Sequence, residues 1–127
     1  MELLQELEVW YIIPTIRKEL ASAMLNQGLK QVEIAKKLGI TKAAVNQYIS
    51  EKRGNEIKFN SKLKEVIKES SKKINNEFDA VREIQYLIKV SRNEKVACQI
   101  HKDLDDNYKK CNICFEQQLI NLGEKHA

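Results

Sequence analysis

The sequence predicts an all-α protein, and three observations carry that expectation. Proline occurs once, at Pro14, and glycine four times in 127 residues, so the chain has few places where a helix must stop. Lys, Glu and Leu, which lose little freedom in a helix, are abundant. Apolar residues recur at intervals of three and four along most of the chain and do not alternate as they would in strands. With 43% hydrophobic and 31% charged residues, the composition is that of a globular protein, neither disordered nor fibrous.

The elements follow in order. From Glu2 to Ile13, Leu3, Leu4, Leu7, Trp10 and Tyr11 fall on one stripe and predict an amphipathic helix. Pro14 restarts the chain, because its missing N–H costs nothing at the first position of a new helix, and a second helix is expected from Pro14 to Asn26 with Ile16, Leu20, Ala23 and Met24 inward. Gly28 stops it. Two short helices, Gln31 to Leu38 and Thr41 to Ile49, are separated by Gly39 and Ile40. Each is too short to stand alone, so packing among Val32, Ile34, Ala35, Leu38, Ile40, Ala44, Val45 and Ile49 has to hold them.

Asn55 to Phe59 lacks a helical period and reads as a linker with a short extended piece. A further helix starts at Asn60 or Ser61, either of which can cap it, and carries Leu63, Val66, Ile67 and Ile74. The helical pattern resumes with Phe78, Val81, Ile84, Leu87 and Ile88, and again with Val96, Ala97 and Ile100. After a polar stretch from Lys102 to Lys110, a last helix is expected from Asn112 to Leu122.

The net charge of +4 is too small to mark a partner, but its distribution is informative. Between Lys30 and Lys58 lie Lys30, Lys36, Lys37, Lys42, Lys52, Arg53 and Lys58 against only Glu33, Glu51 and Glu56, an excess equal to that of the whole chain. This concentration fits a polyanion facing that segment. No apolar run approaches the roughly 20 residues that cross a bilayer, and no basic stretch precedes an apolar core at the N-terminus, so a cytoplasmic protein without a membrane partner is expected.

The basic segment is GLKQVEIAKKLGITKAAVNQYISEKRG, Gly28 to Gly54. It resembles the helix-turn-helix family of phage repressors and Cro, and specifically the short archaeal transcriptional regulators of that family. The resemblance implies a lambda-repressor-like bundle that binds double-stranded DNA, and because a single head contacts few base pairs a homodimer is expected. Each matching position has a physical reason. Ala35 is small where the helices cross, Gly39 takes a positive φ in the turn, Ile40 plugs the joint, and the Thr41 hydroxyl caps the second helix. With Ala44, Val45 and Ile49 inward, the helical period turns Lys42, Ala43, Asn46 and Gln47 outward together. Asn and Gln pair with adenine edges, Lys donates to guanine, and Ala offers a methyl-sized contact to thymine. The absence of Arg from this face points to A/T-rich contacts. The resemblance places Gln31 near a phosphate or base edge, Thr41 at the start of the recognition helix beside the DNA, and Lys52 and Arg53 as phosphate clamps, with Lys30 and Lys36 or Lys37 as additions. Tyr48 either hydrogen-bonds a phosphate or packs.

All three cysteines fall between Cys98 and Cys114, an odd number in one cluster, which argues against a disulfide framework. The pattern Cys98-x2-His101-x9-Cys111-x2-Cys114 offers three thiolates and an imidazole, a tetrahedral set for zinc. The same residues suit an iron–sulfur cluster, with His101 on the fourth iron or outside the shell. The plainer alternatives are small core residues at Cys98 and Cys114, a surface His101, and a bare Cys111/Cys114 dithiol.

These observations predict residues 1–58 as a helix-turn-helix reading head and residues 59–127 as a helical dimerisation and cysteine-bearing part. There is no phosphate loop, no nucleophile beside a base and no paired carboxylate motif, so a transcriptional regulator is expected and not an enzyme. A redox or metal-handling enzyme and a protein-interaction adaptor are the competing readings.

Overall fold

The computed structural model describes residues 3–54 and 57–104, and in these every regular element is helical. The order is α1 (Leu4–Leu7), a π-helical turn (Glu8–Ile12), α2 (Ile13–Asn26), α3 (Gln31–Leu38), α4 (Lys42–Ile49), α5 (Ser61–Ser71), α6 (Glu77–Asn93) and α7 (Val96–Leu104).

The expected break at Pro14 is absent, and a continuous helical path runs from Leu4 to Asn26. Pro14 cannot donate to the carbonyl four residues back, and its ring crowds that carbonyl. The helix answers by widening one turn: the Ile13 N–H reaches back five residues to the Glu8 carbonyl. One turn on, the Thr15 hydroxyl donates to the Tyr11 carbonyl at 2.7 Å, a side-chain bond within the disturbed stretch.

Side-chain caps fix where the later helices begin. Thr41 Oγ1 accepts from the Ala44 N–H at 3.0 Å, Asn60 Oδ1 from the Leu63 N–H at 2.8 Å, and Asn76 Oδ1 from the Asp79 N–H at 2.9 Å. Each supplies an acceptor to a first-turn donor that has no partner inside the helix.

The buried side chains form one connected core. Leu7, Ile12, Ile16, Leu20 and Met24 run along its axis, Ile34, Leu38, Val45 and Tyr48 enter from α3 and α4, and Leu63, Ile67, Ile74 and Leu87 close the other side. A fully buried Leu or Ile contributes roughly 1.5–3 kcal/mol relative to exposure, so the two eight-residue helices derive their stability from this contact. α5 packs on α2, α6 crosses α3 as well as α5, and α7 lies against α6, α1 and the π-helical turn.

Several expectations about faces are corrected. Val32, Phe78 and Val81 are exposed and not packed, Phe78 to 80%, and Ala23 is only half-buried. Phe59, expected in a linker, is buried. The helical period gives the angle between side chains but not how much of the circumference a neighbour covers, and at the start of α6 the neighbours cover the Ala80 face and leave the Phe78 and Val81 face open.

Candidate nucleic-acid interface

The candidate surface is built by α3, the turn after it, α4 and the chain just beyond. α3 starts at Gln31, which is half-buried, and the Glu33 carboxylate accepts from the Lys30 N–H at 3.0 Å, tying the entry of the helix to its first turn. Gly39 ends α3 with φ +69°, and the Ile40 N–H returns to the Ala35 carbonyl at 3.1 Å. A Cβ on Gly39 would also stand 2.6 Å from the Glu77 carboxylate at the start of α6, so the turn is braced from behind by the later part of the chain.

On α4, Ala44, Val45 and Tyr48 are buried and Ile49 is half-buried, as the framework requires. Lys42, Ala43 and Asn46 are exposed, and Thr41 is exposed ahead of them. Gln47 lies differently: it is half-buried, and its amide oxygen is enclosed with no hydrogen-bond partner. The outward row of α4 is therefore Lys42, Ala43 and Asn46, with Gln47 at its margin.

The end of α4 is closed by backbone bonds. The Glu51 N–H reaches the Tyr48 carbonyl at 3.2 Å and the Lys52 N–H reaches the Gln47 carbonyl at 2.8 Å, the paired bonds of a Schellman motif, with Glu51 in the left-handed position at φ +63°. Lys18 of α2 meets the Glu51 carboxylate at 3.3 Å. Lys52 and Arg53 follow, both exposed. Arg53 also donates its N–H to the Gln47 carbonyl at 3.2 Å, and its guanidinium lies over the Tyr48 ring, 5.8 Å from the centroid. Of the two sequence alternatives for Tyr48, packing holds: it is 4% exposed. Next comes Gly54, φ +70°, where a Cβ would fall 2.5 Å from the Pro14 carbonyl oxygen.

The surface thus presents an exposed helix face of Lys, Ala and Asn, with two cations held just past its C-terminus. Residues 20–54 match the helix-turn-helix family model. The match spans the second half of α2, both short helices and the Schellman turn, and it supports a DNA-binding regulator. No curated protein and no solved structure matches the chain. Among the described residues, no helix is long and apolar enough to cross a membrane.

Lys18, Glu51 and Glu77 shape the site without being legible as part of it. The position of Glu51 directly before Lys52 and Arg53 is its one local signal; for Glu77, 38 residues beyond Gly39, no local signal exists.

Of the expected metal ligands, Cys98 and His101 stand one turn apart on α7, Cys98 half-buried and His101 5% exposed. A thiolate and an imidazole at that spacing on one helix fit a shared tetrahedral ion. Cys111 and Cys114 lie outside the described residues.

Proposed function

We propose that this protein is a sequence-specific regulator of transcription that binds double-stranded DNA with α4 as the recognition helix. The carrying observation is the exposed row Lys42, Ala43 and Asn46 on a helix capped by Thr41 and closed by a Schellman turn that projects Lys52 and Arg53. A row of this kind offers donors and a methyl-sized contact to base edges, while the two cations meet phosphates. Gln31 at the start of α3 is the further phosphate or base-edge contact in this reading, and Gln47 adds to the row from its margin.

In the same reading the chain works as a homodimer, since one head spans few base pairs and two heads reach half-sites about 34 Å apart. Residues 1–58 form the reading head and residues 59–127 the dimerising and cysteine-bearing part. Cys98, His101, Cys111 and Cys114 hold zinc or an iron–sulfur cluster, whose binding would tie α7 to the rest of that part; its chemistry is structural for zinc and redox for a cluster. The role is binding and not catalysis.

The test is duplex binding measured across salt, first on random duplex and then on sites selected from a randomised pool. Binding that falls steeply with salt, with selection of a short two-fold repeat, supports the reading; no affinity for duplex at low salt removes it. Metal analysis and an absorption spectrum of anaerobically purified protein, compared with Cys111→Ser, decide between zinc, a cluster and neither.

A further inference from the structure

We infer that Tyr48 is a positioning residue for the DNA contact of Arg53: its buried ring is a platform that holds the guanidinium at the end of the recognition helix. The inference rests on the duplex-binding reading above and names a residue that the reading does not use.

The two cations past α4 differ in how they are held. Lys52 and Arg53 are both exposed and both follow the Schellman turn, and each donates its backbone N–H to the same Gln47 carbonyl, at 2.8 and 3.2 Å. Only Arg53 is also held by its head group, over the Tyr48 ring at 5.8 Å from the centroid. Tyr48 is fixed from below, 4% exposed within the core that α4 shares with α2 and α3. An exposed Arg normally samples many rotamers and surrenders them when it grips a phosphate. Held at both ends, by its backbone N–H and by its head group over the ring, Arg53 has already given up part of that freedom. Lys52, a compact ammonium on a flexible stem, contributes charge without direction.

A tyrosine at this position therefore does two jobs. Its bulk fills the core, which Leu or Phe also does, and its π face orients Arg53, which Phe does and Leu does not. The separation of those jobs makes the inference testable.

The experiment is a double-mutant cycle on the full chain. Affinity for a selected duplex and for random duplex is measured with wild type, Tyr48→Phe, Tyr48→Leu, Arg53→Ala and Tyr48→Leu/Arg53→Ala, all at a temperature where circular dichroism shows each fully folded. Tyr48→Phe is expected to bind as wild type. Tyr48→Leu is expected to weaken both duplexes alike, by about two- to five-fold, the range of an exposed cation–π contact. That loss should disappear when Arg53 is already Ala. An equal loss in both backgrounds overturns the inference while leaving the duplex-binding reading intact; a wild type that binds no duplex removes both.

A second measurement needs no variant to fold. In NMR spectra of the free wild-type protein the Arg53 δ-methylene protons are expected upfield of their usual position, through the ring current of Tyr48. Random-coil shifts for those protons would overturn the platform directly.

Discussion

The Glu8 carboxylate and the Arg92 guanidinium form a two-bond ion pair, Nε to Oε2 at 2.7 Å and Nη2 to Oε1 at 2.9 Å, joining residues 84 apart in the chain. Glu8 lies in the π-helical turn and is 4% exposed, while Arg92 lies in the last turn of α6. Hydrogen bonding to Glu8 holds the Arg92 guanidinium protonated above even its ordinary range. The widened turn that lets the helix pass Pro14 is thus also the place where the N-terminal and later helices are fastened together.

Removing one partner leaves the other stranded. Arg92→Ala leaves a carboxylate buried without its cation, a change that costs roughly 3–5 kcal/mol in a dry interior. Since the Arg92 side chain is 38% exposed and water can follow the deletion, about 2 kcal/mol is expected here. Urea unfolding measures it, and Glu8→Leu/Arg92→Met should recover most of the loss. A single mutant as stable as wild type would show that the pair does not fasten the helices.

Two glycines with nearly the same positive φ should respond differently to alanine. At Gly54 the new Cβ meets backbone, 2.5 Å from the Pro14 carbonyl oxygen, and backbone cannot step aside. At Gly39 it meets the Glu77 carboxylate, which can rotate away. Both variants carry the left-handed penalty of about 1 kcal/mol, and Gly54→Ala adds a steric term that brings its loss to about 3 kcal/mol. Thermal melts should rank Gly54→Ala well below Gly39→Ala, and the reverse order would contradict the packing of Gly54 on α2.

Acid should loosen the start of α6. The Asn75 N–H donates to Asp79 Oδ2 at 3.0 Å, and this bond is the largest cause of a lowered Asp79 pKa; desolvation opposes it, and Arg82, bonded to Oδ1 at 3.0 Å, lowers it further. Because the folded value lies below the unfolded value of about 3.9, the charged carboxylate contributes stability that is complete above that pH and is lost as pH falls through the folded value. A carboxyl-carbon NMR titration should place the Asp79 midpoint below about 3.9, and Asp79→Asn should flatten the acid limb of stability against pH.

In DNA binding, base readers and phosphate holders should separate. Asn46→Ala is expected to cost roughly 1–3 kcal/mol at the selected site and to blur its sequence, whereas Arg53→Ala should weaken all sequences alike and reduce the salt slope by about one. Unchanged selectivity in Asn46→Ala would show that the reading face lies elsewhere on α4.

The reading head was legible in the sequence to an unusual extent because its determinants are local. Gly39 between two apolar patterns and Thr41 three residues before Ala44 act within a few residues, and both appear where expected, as do the buried Ala35 and Val45. Gln47 is the exception on the reading face: the helical period turns it outward with Lys42, Ala43 and Asn46, yet it lies half-buried with its amide oxygen enclosed.

From Gln31 to Leu104 the helices and most of their limits follow from local sequence, since capping and the 3.6-residue period act within a turn or two, while the helix expected from Asn112 to Leu122 lies outside the described residues. Pro14 is passed by one widened turn, a local adjustment that the sequence pattern does not signal. Packing between helices settles that Phe78 faces solvent while Phe59 does not, that Glu8 pairs with Arg92, and that Glu51 and Glu77 meet Lys18 and the Gly39 turn. Those outcomes depend on which helices cross and how much of each face they cover. Such contacts join residues tens of positions apart, and neither spacing nor propensity reports them.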